Sequence, residues 1–143
     1  MKLFFLFLGA AAWQDLRTRS IGLEILAAGA IAGLIVCAGA GRSAGEIFLA
    51  MIPGAGILLL SFFTDGMMGE GDGLFFLVSG LFLEWQEVIL LFISGQIFCS
   101  IFGLTVAVSA FWGAKNGNIR KMRLPFLPFL LPMAMWMAVM RNL

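Results

Sequence analysis

Two aspartates beside apolar segments are the residues of this chain with the clearest capacity for chemistry. Asp15 follows the apolar run Leu3–Trp13, and Asp72 ends the segment Gly69-Glu70-Gly71-Asp72, shortly before the apolar run Leu74–Leu83. An ionisable group at membrane depth is expensive, so it indicates a functional site. Two carboxyl groups held close together share a proton at moderate pH, so that one activates water while the other protonates a carbonyl or an amine. The two aspartates therefore predict amide hydrolysis by an acid pair.

Other interpretations of the same residues stay open at this point. Asp72 could cap the helix that follows it and interact with its dipole. Asp15 could be an interfacial residue paired with Arg17 or Arg19. The two carboxylates could also form the proton relay of a small proton-coupled transporter or channel, and a non-catalytic membrane assembly subunit is a further alternative. A peptide-cleavage assay that requires both aspartates would separate the peptidase from these alternatives.

Other kinds of catalytic chemistry find few suitable residues in this chain. Histidine is absent, and the two cysteines, Cys37 and Cys99, lie inside apolar runs, which favours their interpretation as small buried hydrophobic residues. We expect both thiols to lie far from the aspartates, and we expect no metal and no cofactor. The formal net charge is +1 and the nine Lys and Arg residues are scattered, so no nucleic-acid surface is expected.

Composition indicates that the environment of the aspartates is a membrane. Hydrophobic residues make up 62% of the 143 residues and charged residues only 12%, which is too apolar for a soluble domain with a hydrated surface. No linker is long enough to separate two domains, so a single membrane-embedded domain is predicted over residues 1–143. We expect an all-α polytopic protein with about six transmembrane helices, one in each of these runs: Leu3–Trp13, Ile21–Ala40, Ile47–Phe63, Leu74–Leu83, Val88–Trp112 and Pro125–Met140.

Local signals refine the boundaries and packing of these helices. Gly29 and Gly33 have the spacing that allows close helix packing in lipid, on the second helix. Ser43 and Glu46 have the spacing of a capping box, which predicts that the third helix starts near Ile47. The polar segment 84–87 is predicted to be a turn between the fourth and fifth helices.

The distribution of Lys and Arg predicts the orientation. The loops after the first, third and fifth helices hold six of these residues, and the opposite side holds three, Lys2, Arg42 and Arg141. The positive-inside rule therefore places both termini outside, and it places Asp15 and Asp72 on the cytoplasmic side. An apolar helix of ten residues extends only about 15 Å, against a hydrocarbon core of about 30 Å, so we expect the acid pair below the membrane surface in a wet cavity.

Three segments of the chain resemble one family. Gly69-Glu70-Gly71-Asp72 matches the Gly-x-Gly-Asp motif of membrane aspartyl peptidases. Asp15-Leu16-Arg17-Thr18-Arg19-Ser20-Ile21 resembles the Asp-Leu-Arg-x-Arg-x-Ile segment of type IV prepilin peptidases. Leu124-Pro125-Phe126-Leu127-Pro128-Phe129 resembles the Pro-Phe-x-Pro-Phe stretch before the last helix of that family. The first two lie in the family's order on helices that run in opposite directions.

This resemblance implies both a reaction and a set of residues. The family removes the short basic leader of prepilins or pilin-like secretion subunits at the cytoplasmic face. The implied partners are therefore the leader with its hydrophobic helix and membrane lipid, and the implied location is the bacterial or archaeal cytoplasmic membrane, crossed several times. By the same resemblance Asp15 and Asp72 are the catalytic pair, and the supporting motif residues are Gly69, Gly71, Arg17, Arg19, Pro125 and Pro128.

The chain also departs from the family's pattern at three points. It has no Cys-x-x-Cys segment, so we expect a short form that does not N-methylate its product. The family usually follows its motif with a small apolar residue and then Lys, whereas this chain has Gly73 and Leu74. Glu70 occupies a position where an apolar residue is common, and we interpret it as a loop residue facing water, while Asp65 is interpreted as a turn residue.

Overall fold

The chain folds into a bundle of helices. The computed structural model describes residues 2–18, 20–64, 70–112 and 126–142, and these residues form six α-helices and no β-strand. The predicted all-α class is therefore confirmed. The helices, in chain order, are α1 (Lys2–Thr18), α2 (Leu23–Ala40), α3 (Ala44–Phe63), α4 (Glu70–Ser79), α5 (Trp85–Trp112) and α6 (Leu131–Asn142), and a short 3-10 helix (Leu127–Leu130) leads directly into α6.

Three helices of the described part of the chain are long and apolar enough to cross a membrane. They are α2, α3 and the Trp85–Val106 part of α5. The helices α1, α4 and α6 have 17, 10 and 12 residues. Three apolar helices of this length support the prediction of a membrane protein, while six spans and external termini stay predictions.

Glycines bring α3 and α4 into close contact. A Cβ built on Gly73 would lie 2.8 Å from Cγ of Leu58, and one built on Gly80, just after α4, would lie 2.6 Å from the carbonyl oxygen of Ala50. Between these two points, Gly54 of α3 lies directly against the backbone of α4. Because residue numbers rise along one helix as they fall along the other, the two helices are antiparallel. Side chains at these glycines would force the helices apart.

Phenylalanines connect α4 to the rest of the bundle. Phe75 stacks on Phe7 of α1, with 5.1 Å between ring centroids. Phe76 contacts Phe92 of α5 at 5.3 Å and Phe126, just before the 3-10 helix, at 6.1 Å. Both phenylalanines of α4 are completely buried. Although α4 has only ten residues, it therefore packs against α1, α3 and α5.

The predicted capping box is present, and it starts α3 earlier than expected. Oγ of Ser43 accepts a hydrogen bond from the backbone N–H of Glu46, and the Glu46 carboxylate accepts one from the backbone N–H of Ser43, both at 3.3 Å. A capping residue directly precedes the first helical residue. The helix therefore begins at Ala44 and not near Ile47.

The boundary between α4 and α5 differs from the prediction. α4 ends at Ser79, four residues before the predicted end at Leu83, and α5 begins at Trp85. The segment 84–87 is not a turn, because the Glu87 carboxylate accepts a hydrogen bond from the backbone N–H of Glu84 at 3.0 Å and so stabilises the start of α5. The turn is formed by residues 80–84 instead.

The paired glycines of α2 pack as predicted. Gly29 lies directly against the ring of Phe7 on α1. A Cβ built on Gly33 would lie 2.6 Å from Cβ of Leu81, in the turn after α4. These contacts place α2 against both α1 and the end of α4.

Candidate active site

The bundle has two ends, which the aspartates distinguish. Asp15 lies near the end of α1, and Asp72 lies near the start of the oppositely directed α4. We call this the carboxylate end. The far end holds the connection between α2 and α3 and the turn between α4 and α5. The structure thus brings together at one end the two residues that the sequence singles out.

Asp15 is buried and hydrogen-bonded by the polypeptide backbone. Only 7% of its surface is exposed. Its Oδ2 accepts a hydrogen bond from the backbone N–H of Leu127 at 3.1 Å. Leu127 is the first residue of the 3-10 helix, where backbone N–H groups have no partner within the helix itself. This bond satisfies one buried carboxylate oxygen with a donor from the other end of the chain.

The same bond explains why residues 126–130, which we call the proline-containing segment, belong to the site. Pro128 follows Leu127 in the first turn of the 3-10 helix, a position where proline is favoured because its missing N–H is not needed. Phe126 anchors the start of the segment on Phe76 of α4. The segment therefore presents the Leu127 N–H to Asp15. Pro125 lies outside the described residues.

Asp72 is partly buried in the first turn of α4 and is electrostatically coupled to Asp15. Both groups lie outside the three helices that are long and apolar enough to cross a membrane. Burial, and secondly the negative charge of Asp15, raise the pKa of Asp72 to about 7. Burial also raises the pKa of Asp15, but the backbone N–H groups of Leu127 and Phe126 oppose this rise by stabilising its ionised form. Below about pH 7, we therefore assign the shared proton to Asp72.

The structure does not place Asp72 at the helix N-cap, and it gives Asp15 a backbone hydrogen-bond partner, while a pairing of Asp15 with Arg19 stays untested. α4 begins at Glu70, so Asp72 is the third residue of the helix and not its N-cap. The hydrogen-bond partner of Asp15 is Leu127. Arg17 is exposed on the last turn of α1, and Arg19 lies outside the described residues.

The two motif segments touch each other through Ile21. A Cβ built on Gly71 would lie 3.5 Å from the Ile21 side chain, which is ordinary van der Waals contact. The closer approach is at Gly73, against Leu58 of α3. Gly69 lies outside the described residues.

Gln14 is a site residue that sequence reasoning missed. Its Oε1 accepts a hydrogen bond from the backbone N–H of Gly22 at 2.7 Å, which folds the connection after α1 back toward the helix. Ile21, which contacts Gly71, lies in the same connection. The sequence does contain a signal for Gln14, because it is a polar residue directly beside a candidate catalytic aspartate in an apolar helix.

Cys99 corrects a further expectation. The thiol was expected to lie far from the aspartates, but it lies within electrostatic reach of both Asp15 and Asp72. It shares a face of α5 with Gly95, which contacts Leu130, and Phe102, whose ring lies 5.3 Å from that of Phe129. That face of α5 therefore packs against the proline-containing segment.

The remaining candidate residues contribute less to this end. Glu70 is exposed, in agreement with its interpretation as a water-facing residue, but it is the first residue of α4 and not a loop residue. Asp65 lies outside the described residues. Within the described part of the chain no group of three or more His, Cys, Asp or Glu side chains is placed to hold a metal ion.

Comparison with known proteins agrees with the geometry. The model of the type IV leader peptidase family matches residues 2–104, which include Asp15 and Asp72. No curated protein and no solved structure matches the chain. Residues 2–104 are more than two thirds of the 143 residues. The chain therefore belongs to the type IV leader peptidase family.

Proposed function

We propose that the protein is a membrane aspartyl endopeptidase that removes the short basic leader from prepilins or pilin-like secretion subunits. The observation that carries the proposal is the coupling of two carboxyl groups, from helices of opposite direction, at one end of the bundle. Membership of a leader peptidase family supports the peptidase reaction. The excess of Lys and Arg in the odd-numbered loops supports a cytoplasmic location for this end.

The difference between the two aspartates supports one assignment of roles. Asp15 is ionised more readily, because the Leu127 N–H stabilises its carboxylate. Asp15 therefore takes a proton from water while the water oxygen attacks the scissile carbonyl carbon. Asp72, which holds the shared proton, donates it to the carbonyl oxygen, and a tetrahedral diol results.

Collapse of the diol reverses the two roles. The Asp72 carboxylate takes a proton back from one hydroxyl group as the carbonyl re-forms and the carbon–nitrogen bond breaks. The Asp15 carboxyl group gives its proton to the leaving nitrogen. Each aspartate thus ends the cycle in its starting protonation state, and the reaction uses no metal and no covalent intermediate.

Cleavage of a pilin-like substrate by the purified protein in lipid vesicles tests the proposal. The substrate carries a basic leader followed by a hydrophobic helix. We expect Asp15→Asn and Asp72→Asn to reduce cleavage nearly to background, because each variant keeps the shape of the side chain and removes its acid-base function. Glu70→Gln, which changes an exposed carboxylate of the same helix, is the matched control and should retain activity. Substantial cleavage by correctly inserted Asp72→Asn would overturn the proposal.

A further inference from the structure

The turn after α4 lies deeper in the bundle than the neighbouring connection at the far end. Gly80 packs against the carbonyl group of Ala50, which is six residues after the first residue of α3. At 1.5 Å per residue, this places Gly80 about 9 Å inside the start of a membrane-spanning helix. Backbone carbonyls at that depth need partners within the protein, because lipid offers none.

Arg42 provides most of these partners. It lies in the connection between α2 and α3 and reaches down to the turn. One terminal nitrogen of its guanidinium donates to the carbonyl oxygens of Gly80 at 3.3 Å and Leu81 at 3.2 Å, and the other donates to that of Leu83 at 3.0 Å. Sγ of the buried Cys37 also donates to the Leu81 oxygen, at 2.9 Å.

The guanidinium keeps access to water while it binds the turn. Arg42 is partly exposed and lines an open pocket of about 530 Å³ at the far end, together with Glu46 and Glu84. Its long side chain thus carries donors from the surface into the bundle and keeps its charge hydrated. An apolar side chain of similar length would leave the carbonyls without these donors.

The turn is continuous with the helix that carries Asp72. The backbone N–H of Gly80 donates to the carbonyl oxygen of Phe76 at 3.2 Å, and that of Leu83 donates to Ser79 at 3.0 Å. Asp72 precedes Gly80 by eight residues, or about 12 Å of helix. Holding the turn therefore holds the position of Asp72 along the bundle axis.

We propose that Arg42 is a positioning residue of the acid pair: by binding the carbonyl groups of the deep turn between α4 and α5, it sets the depth at which α4 presents Asp72 to Asp15. Its partner Asp15 is fixed independently through Leu127. Without the guanidinium, the carbonyl groups of the turn can regain hydrogen-bond donors by moving toward water at the far end. Because the turn is continuous with α4, this movement takes Asp72 away from Asp15. The effect on cleavage rests on the proposed function, whereas the effect on the carboxyl groups does not.

The groups that face Asp72 are few enough for this effect to be measured. Among the described residues, Asp15 on α1 and Cys99 on α5 are within electrostatic reach of it. α3 and α2 also pack on α4: α3 has Glu46 as its one titratable residue, at the far end, and α2 has the exposed Glu24 in its first turn and Cys37 toward the far end. The titration of Asp72 therefore reports mainly its burial and its distance from Asp15.

The experiment is a carbon-13 NMR titration of carboxyl-labelled aspartate in protein reconstituted in lipid nanodiscs. The chain contains three aspartates, so Asp15→Asn and Asp72→Asn variants assign the signals. In Arg42→Met we expect the upper titration step to shift toward the ordinary aspartate value, since separation weakens the coupling. We also expect kcat for leader cleavage to fall about tenfold to a hundredfold, with little change in KM.

Three variants separate positioning from charge loss and from general destabilisation. Lys2→Met removes an equivalent positive charge from an exposed residue and should change neither the titration nor kcat. Arg42→Lys keeps the charge but lacks the planar fork of donors, so partial restoration is expected. Cys37→Ala removes only the thiol donor to Leu81 and should give a smaller shift in the same direction, which is measurable even if Arg42→Met does not fold.

The possible outcomes are distinguishable. Unchanged aspartate titration and unchanged kcat in folded Arg42→Met, beside an active wild-type protein, would overturn the positioning role alone. A shifted titration in a protein that cleaves no leader would overturn the proposed function and leave the positioning role standing. If Arg42→Met does not fold, unchanged titration in both Arg42→Lys and Cys37→Ala would also overturn it.

Discussion

The backbone N–H of Leu127 donates a hydrogen bond to Oδ2 of Asp15 over 3.1 Å, although the two residues are 112 positions apart in the chain. This bond connects the end of the first helix to the segment before the last one. It stabilises the ionised form of Asp15, and it gives the two aspartates different environments.

The first prediction is that Asp15 and Asp72 act as one unit. Each single Asn variant should lose nearly all cleavage, and the double variant should be scarcely slower than either, because removing one member of a coupled pair already abolishes its function. Initial rates for the four proteins, in vesicles of one composition, provide the test. A double variant whose rate falls by the full product of the two single effects would show that the aspartates act separately.

The second prediction concerns pH. Cleavage needs Asp72 protonated and Asp15 ionised, so kcat should fall as pH rises through about 7, the raised pKa of Asp72. It should also fall at acid pH, where Asp15 gains a proton. A rate profile from pH 4 to 9 checks both limbs. An activity that keeps rising above pH 8 would contradict the assignment of Asp72 as the acid.

The third prediction follows from the same pKa and concerns stability. Because the folded-state pKa of Asp72 is raised to about 7, the folded protein binds its proton more tightly than the unfolded chain does. The stabilisation is complete below about pH 4 and is lost as pH rises through about 7. Relative to Asp72→Asn, the melting temperature of the wild type should therefore fall across this interval. Equal pH dependence in the two proteins would contradict the raised pKa.

The fourth prediction isolates the Leu127 N–H. Replacing Leu127 by the corresponding α-hydroxy acid turns its amide into an ester, which removes this donor and also weakens the Phe126 carbonyl as the acceptor of the Phe129 N–H. A hydrogen bond to a charged group is worth about 1.5–3 kcal/mol, so we expect cleavage to fall about tenfold to a hundredfold. The acid limb of the pH profile should move to higher pH, since the ionised form of Asp15 is less stable without the bond.

The control for this substitution keeps the backbone donor and changes the side chain. Leu127→Met has a similar volume and retains the N–H, so its pH profile should match that of the wild type. If the ester and the Met variant shift the acid limb equally, packing at position 127 and not the hydrogen bond is responsible.

The fifth prediction concerns Cys99. Because its partly buried thiol lies near both aspartates, attachment of a group by a small membrane-permeant thiol reagent should slow cleavage. Cys99→Ala should remain active and become insensitive to the reagent, whereas Cys37→Ala should stay sensitive. The measurement is cleavage by the reagent-treated wild type, with modification at Cys99 confirmed by mass spectrometry. Full activity of the modified protein would show that a group attached to Cys99 does not disturb the acid pair.

Several features of this protein were predictable because they depend on neighbours in the chain. The capping box at Ser43 and Glu46 needs only a spacing of three residues, and the close packing of Gly29 and Gly33 needs only small side chains on one helix face. The two aspartates stand out because an acid beside apolar helices is expensive. Because their two helices were predicted to run in opposite directions, the sequence also predicted that both aspartates lie at the same end.

The tertiary structure alone decided which distant groups surround the acid pair. α2 and α5 are apolar on every side, so no polar face indicates how either helix is rotated. For that reason the nearness of Cys99 to the aspartates was not predictable. In the turn after the early end of α4, three carbonyl groups accept hydrogen bonds from Arg42, which lies about forty residues away in the chain. The bond between Leu127 and Asp15 likewise requires the last helix to return to the first, and no local pattern encodes that meeting.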